Sequence, residues 1–249
     1  MATHLPYVVD PLDGHHHTHT IIFLHGRDSI NDEFAGELFE SEASEPAGQP
    51  RTLRDLFPTI RWVFPAAPTL RSARFDTDMS QWFDIWSVED PAERSEIQHE
   101  GLRKSASAVL DIVQSEEARV QGRQNIFLAG ISQGFATVVA ALFSAAIDRQ
   151  EGFAGLVGLS SWMPLGDRDN LVRMLDGERT LMPDALRNTP VFLSHSRDDD
   201  VVPVQNGRAL RDILAQRQEV EWHEYEDGGH WVHEPQGVDN IAEFLKRHM

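Results

Sequence analysis

Short apolar runs alternate with longer amphipathic ones along most of this 249-residue chain. Residues 20–24 (TIIFL), 60–64 (IRWVF), 125–129 (NIFLA), 154–159 (AGLVGL), 191–195 (VFLSH) and 220–225 (VEWHEY) are brief and mostly bounded by polar residues or glycine. Runs of this length and bounding predict strands, and several are apolar throughout, as strands covered on both faces must be. Residues 7–10 form a weaker candidate for an edge strand. Between these runs, residues 98–115, 135–147, 205–218 and 238–247 carry apolar side chains at helical spacing. The alternation predicts an α/β class, with a mostly parallel central sheet and helices on both faces. In such a sheet, ligands bind at the carboxyl ends of the strands.

Three long excursions, 28–55, 66–97 and 160–189, each begin just after a predicted strand, where the rim of a site belongs. They concentrate apolar bulk: Trp82, Phe83 and Trp86 in one, Trp162, Met163, Leu165 and Met182 in another. A packed loop explains any one of these residues, and an apolar binding groove needs the same chemistry. Residues 40–49 (ESEASEPAGQ) are polar and of low complexity, and predict a loop.

The candidate chemistry lies where one strand meets one helix. Gly130-Ile131-Ser132-Gln133-Gly134 joins the run 125–129 to the alanine-rich run 135–147, so the backbone must reverse within a few residues. Glycines two positions either side of Ser132 leave room for a strained turn that presents its hydroxyl. A serine N-cap at an ordinary turn would give the same five residues. The catalytic reading gains weight from two segments further along the chain, because an unaided serine hydroxyl is a poor nucleophile. The strand 191–195 runs into Arg197-Asp198-Asp199-Asp200-Val201-Val202-Pro203, and the strand 220–225 into Glu226-Asp227-Gly228-Gly229-His230. An acid and then a histidine, each after its own strand, supply an orienting carboxylate and a base in the order Ser, Asp, His. Spacing alone leaves Asp198, Asp199 and Asp200 open. His233 is the alternative base, although Gly228-Gly229 favours His230.

From about residue 20 to 244 the chain resembles the acyl-protein thioesterases and carboxylesterases, the phospholipase/carboxylesterase group of α/β-hydrolases. The likeness rests on Phe23-Leu24-His25-Gly26 with Asp28, on Phe64-Pro65-Ala66-Ala67-Pro68 and on Ser80-Gln81-Trp82-Phe83-Asp84. It continues through the serine motif, Ser161-Trp162-Met163-Pro164-Leu165, His195 through Asp199 to Pro203, and Gly229-His230. The resemblance implies one α/β-hydrolase domain over 1–249, with Ser132 as nucleophile, His230 as base and acid, and Asp199, four residues before Pro203, as its orienting partner. It implies backbone amides of Gln133 and Arg27 as the oxyanion hole, and Trp82, Phe83, Trp162 and Met163 as substrate contacts along an acyl-binding groove. Two positions depart from the family. The usual H-G-x-G-D reads His25-Gly26-Arg27-Asp28 here, so the loop is expected to be shorter or differently bent. Phe135 stands where a small residue is usual, and either narrows the space beside the serine or fills core.

Composition narrows the partners. Lys+Arg 22 against Asp+Glu 40 gives a formal charge of -18, which repels nucleic acid and anionic lipid at close range. No cysteine occurs, so disulfides, a cysteine nucleophile and thiolate metal sites are all unavailable. Neither a basic segment leading into an apolar core nor a run approaching ~18 apolar residues appears, and a cytoplasmic protein without membrane insertion is the expectation. Among the 12 histidines, His15, His16, His17 and His19 cluster without the spacing of a closed metal site, and His25 is expected to organise the oxyanion loop. No metal or cofactor is expected. The expected partner is an acylated protein or a small-molecule ester or thioester. A homodimer is compatible with this reading, and oligomeric state is left open. Alternatives are a carboxylesterase of secondary metabolism, a serine peptidase of similar fold, and a non-catalytic binding protein that keeps the fold as scaffold.

Overall fold

The computed structural model describes residues 5–145, 151–176, 187–216 and 219–249. Seven strands form one sheet: β1 (Tyr7–Val9), β2 (His19–Leu24), β3 (Ile60–Phe64), β6 (Ile126–Ile131), β7 (Gly155–Leu159), β8 (Val191–Ser196) and β9 (Val220–Tyr225). Their order is β1-β3-β2-β6-β7-β8-β9. β1 is antiparallel to β3, and every other pairing is parallel. All seven predicted strands are found, within two residues at each end.

β2, β6, β7 and β8 are buried along their whole length, which is why they read as unbroken apolar runs. Alternation survives in where the side chains go. Ile22, Leu24, Ile126 and Leu128 enter one core cluster, and Ile21, Phe23, Phe127 and Ala129 enter the other, on the opposite face. The first cluster is closed by α3 (His99–Val120), α4 (Gln133–Ala145) and α6 (Val204–Leu214), and the second by α1 (Asn31–Leu38) and α7 (Gln236–His248). α4 packs on both α3 and the sheet. That double burial accounts for a helix apolar all round, with Phe135, Val138, Val139, Ala140 and Leu142 all buried.

One extended helix, three further helices and a hairpin exceed the sequence reading. α3 continues through Val120 instead of stopping at residue 115. Its Glu116 is buried and accepts hydrogen bonds from Thr20 Oγ1 (3.2 Å) and Arg61 Nε (3.1 Å). α1, a four-residue turn α2 (Leu53–Leu56) and α5 (Arg168–Asp176) lie within the excursions expected as loops. So does the hairpin of β4 (Thr69–Ser72) and β5 (Thr77–Ser80), which pair antiparallel. Met182 and the predicted ends of the helices at 146–147 and 217–218 fall outside the described residues.

The strand order reverses between β2 and β6. The chain passes from the edge strand β1 inward to β2 and then back to β3 between them on one side, and from β6 outward to β9 on the other. The loops after β2 and β6 therefore diverge and leave a crevice at the carboxyl ends, where open parallel sheets bind ligands. Gly26 and Ser132 sit on those two loops.

Candidate active site

Ser132 occupies the turn between β6 and α4 with φ 56°. A left-handed conformation costs a non-glycine residue on the order of 1–3 kcal/mol and persists only when its surroundings fix it. Three bonds do so: Ser132 N–H donates to Leu159 O (2.8 Å), and Ser132 O accepts from Ser161 Oγ (2.8 Å) and Ala136 N (3.3 Å). The flanking glycines have distinct steric reasons. A Cβ on Gly130 would stand 2.5 Å from Phe135 N, and one on Gly134 would stand 2.3 Å from Leu24 O and 2.6 Å from His25 O. The turn can fold this tightly against β2 only without those carbons. Phe135 is fully buried in the core, its ring lying where a Cβ on Gly158 would be. It fills core rather than lining the crevice.

His230 Nδ1 lies 2.7 Å from Asp199 Oδ2. Of the three consecutive acids, Asp199 alone is buried, and Asp198 turns outward to accept from Gly229 N–H (2.9 Å), which braces the loop carrying His230. The other Asp199 oxygen, Oδ1, accepts from the Val201 and Val202 amides, both at 2.9 Å. His195 adds a further donor: Nε2 is 3.2 Å from Asp199 Oδ2 and 2.9 Å from Val202 O. Burial alone would raise the Asp199 pKa, but the hydrogen bonds from His195, His230 and Val202, with the His230 charge, hold it well below the ordinary carboxylate range. The sequence assigns His195 no role of its own, although it opens the motif that runs through Asp199 to Pro203. His233, the alternative base, instead stacks on Tyr225 with ring centroids 4.4 Å apart and faces Asp227 at 3.2 Å.

A cleft of about 720 Å³ is lined by Ser132, Gln133, His230, Gly26, Arg27 and Trp162, among others. Gly26 is close to the serine, since a Cβ there would meet Ser132 Cβ at 3.6 Å. The following turn places Asp28 at φ 62°, and its amide donates to Ser80 O at 2.6 Å. Asp28 thus takes the left-handed conformation a glycine would supply, which aspartate tolerates better than most residues. Gln133 opens α4, so its N–H has no intrahelical acceptor, and the Arg27 N–H has no hydrogen-bond partner among the described residues.

Of the four expected substrate contacts, Trp162 lines this cleft, while Trp82, Phe83 and Met163 lie buried in the core behind it. Trp82 and its neighbour are bound into a network under the cleft. Trp82 Nε1 donates to His25 O (2.9 Å), Trp82 N to Gln133 Oε1 (2.9 Å), and Gln133 Nε2 to Phe83 O (2.7 Å). His25 is buried, accepts from Ala67 N at Nε2 (3.1 Å) and so donates from Nδ1 to Gly26 O (2.7 Å). These bonds tie together four of the sequence motifs and steady both loops of the crevice. The accessible wall of the cleft comes instead from Phe75, Thr77 and Met79 of the β4–β5 hairpin, with Val88, Val201 and Trp231. No group of three or more His, Asp or Glu side chains among the described residues is arranged to hold a metal ion.

Residues 6–249 match the family model of phospholipases and carboxylesterases. The chain is 30% identical over 202 residues to an acyl-protein thioesterase 1 of Cryptococcus neoformans, covering 81% of this chain and 74% of that protein. It is 28% identical over 233 residues to the acyl-protein thioesterase 1 of Yarrowia lipolytica, covering 92% and 90%. The fold is similar to that of Zea mays acyl-protein thioesterase 2 (TM-score 0.72, 24% identity, 98% of each chain). It is likewise similar to Arabidopsis thaliana SOBER1 (TM-score 0.71, 21% identity, 93% of this chain and 99% of that one). With the α/β-hydrolase fold, the crevice at its strand ends and a family match across nearly the whole chain, the protein belongs to the phospholipase/carboxylesterase family of hydrolases.

Proposed function

We propose that the protein cleaves acyl thioesters or carboxylic esters through an acyl-enzyme formed on Ser132. The observation that carries this reading is the hydrogen bond from His230 to the buried Asp199 carboxylate, with His230 and Ser132 lining one cleft. Ser132 Oγ attacks the carbonyl carbon while its proton passes to His230 Nε2, the ring nitrogen that Asp199 does not engage. The negative charge that develops on the carbonyl oxygen is met by the backbone N–H groups of Gln133 and Arg27. Collapse of the tetrahedral species expels the thiol or alcohol, which takes the proton from His230. Water then attacks the acyl-serine with His230 again as base, and the carboxylic acid leaves.

Asp199 acts by remaining ionised, holding the imidazole with its proton on Nδ1 and stabilising it when charged. Substrates are acylated proteins or small esters and thioesters, supported by the acyl-protein thioesterases among the relatives. Trp162 supplies an apolar wall for the bound acyl group. The test is rapid-quench mass spectrometry of the protein mixed with a p-nitrophenyl ester and, separately, with an acyl thioester of the same chain. The expected result is a transient mass increment of one acyl group, mapped to Ser132. Steady turnover with no acylated protein under conditions where hydrolysis of the intermediate is slowed would contradict it.

A further inference from the structure

Arg27 is out of place in the charge pattern of this protein. Acids outnumber bases 40 to 22, and Arg51, Arg61, Arg71, Arg123, Arg197, Arg208, Arg211 and Arg247 all pair with carboxylates. Arg27 is half-buried in the wall of the cleft that holds Ser132 and His230, and makes no ion pair or hydrogen bond among the described residues. Its guanidinium carbon stands 5.3 Å from the centroid of the Phe75 ring, and that of Arg74 stands 5.6 Å from the same centroid. Arg74 is anchored by its bond to Trp86 O (2.8 Å), so two like charges stand against one aromatic ring.

Burying a cation without a partner is unfavourable, and a ring quadrupole offsets only part of that cost. The deficit shows in Arg27 itself, whose pKa is lowered by burial first and by Arg74 next, with Asp84 and Asp28 opposing from a distance. The acids that share the cleft, Asp28, Glu33 and Glu37, are exposed at its rim, where water and salt screen them. A second donor belongs to a residue of the same wall, for the indole N–H of Trp162 is buried and has no partner among the described residues.

We propose that the Arg27 side chain is an anion-binding subsite of the cleft, which selects esters and thioesters carrying a carboxylate in addition to the scissile carbonyl. A planar guanidinium seated against a ring can present its N–H fork to a carboxylate bidentately. The inference rests on the reading of Ser132 as nucleophile and adds the class of substrate. The carboxylate belongs to the acyl group or to the leaving group, and matched substrates separate the two.

The experiment measures kcat/KM for the p-nitrophenyl half-ester of adipic acid against p-nitrophenyl hexanoate, and for 4-carboxyphenyl hexanoate against phenyl hexanoate. Each pair is run with the unaltered protein, Arg27→Met and Arg27→Lys. Taking the ratio within each pair cancels any change in the oxyanion loop common to both substrates. The expected result is an anionic-to-neutral ratio that falls at least tenfold in Arg27→Met for one of the pairs, and is largely kept in Arg27→Lys. Ratios within twofold of the unaltered protein in both pairs, with neutral esters still turned over through Ser132, overturn the subsite alone. Absence of Ser132-dependent turnover of every ester overturns the reading beneath it.

Discussion

His195 and His230 meet at one atom: Nε2 of the first lies 3.2 Å, and Nδ1 of the second 2.7 Å, from Oδ2 of Asp199. With the Val201 and Val202 amides on Oδ1, the carboxylate is held by four donors. Such a group is fixed in direction and stays ionised, and those are the two properties the proposed mechanism asks of it.

The three neighbouring acids are therefore expected to differ sharply on substitution. Asp199→Asn should lower kcat by roughly 10³–10⁴, the scale seen when the orienting acid of such a site is neutralised. Asp200→Asn should stay within a few-fold of the unaltered protein. Asp198→Asn keeps an oxygen for the Gly229 amide and should also be mild, whereas Asp198→Ala, which removes that brace, should be worse than Asp198→Asn. Steady-state kinetics on one ester decides the order.

The same carboxylate sets an acid limb of stability. Its folded-state pKa is depressed, so its contribution is fully present above the unfolded value of about 3.9 and is lost as pH falls from there toward the folded value. Urea unfolding between pH 3 and pH 7 is expected to show a shallower loss of stability at the acid end in Asp199→Asn than in the unaltered protein. Parallel curves for the two would contradict the assignment.

His195 makes a separable contribution. His195→Leu removes an N–H that bonds Val202 O and contacts Asp199, and a hydrogen bond shared in this way is worth roughly 0.5–1.5 kcal/mol. The variant should lose about that much stability and lower kcat more than it raises KM, while His195→Gln, which retains an N–H, should recover part of both. A KM effect alone would assign His195 to substrate binding instead.

Glycine positions offer a steric test of the turn. Gly134→Ala drives a methyl to 2.3 Å from Leu24 O, so it should destabilise the protein and abolish turnover together. Gly36, in α1, would meet nothing within 4 Å and is exposed. Gly36→Ala is expected to stabilise by about 0.5–1 kcal/mol, the helix-propensity difference, and to leave turnover unchanged. Thermal melts with an activity assay on both variants check this.

The sheet was legible because burial on both faces leaves an apolar run that needs no partner to be recognised, as in residues 126–131 and 191–196. The serine turn was legible for a local reason too, since Gly130 and Gly134 mark a reversal that only glycine permits. What escaped depended on contacts between distant segments. The apolar stretch at Trp82 and Phe83 reads like a groove until His25, Ser105 and Gln133 are seen to bond it from beneath. The β4–β5 hairpin carries few apolar side chains, and β5 reads Thr77-Asp78-Met79-Ser80, so nothing in its pattern announced a strand. His195 looked like the last residue of a strand, because the bond that gives it a role reaches around a loop to Asp199.

The most direct measurement labels the protein with a fluorophosphonate and compares it with Ser132→Ala by intact-mass spectrometry, thermal melting and esterase assay. One hydroxyl is removed from a turn whose bonds to Leu159 and Ser161 run through the backbone, so the variant is expected to melt like the unaltered protein. It should take up no probe and retain less than about one part in 10³ of the activity, while the unaltered protein takes up one probe on Ser132. Labelling or turnover that persists in Ser132→Ala would contradict the account at its centre.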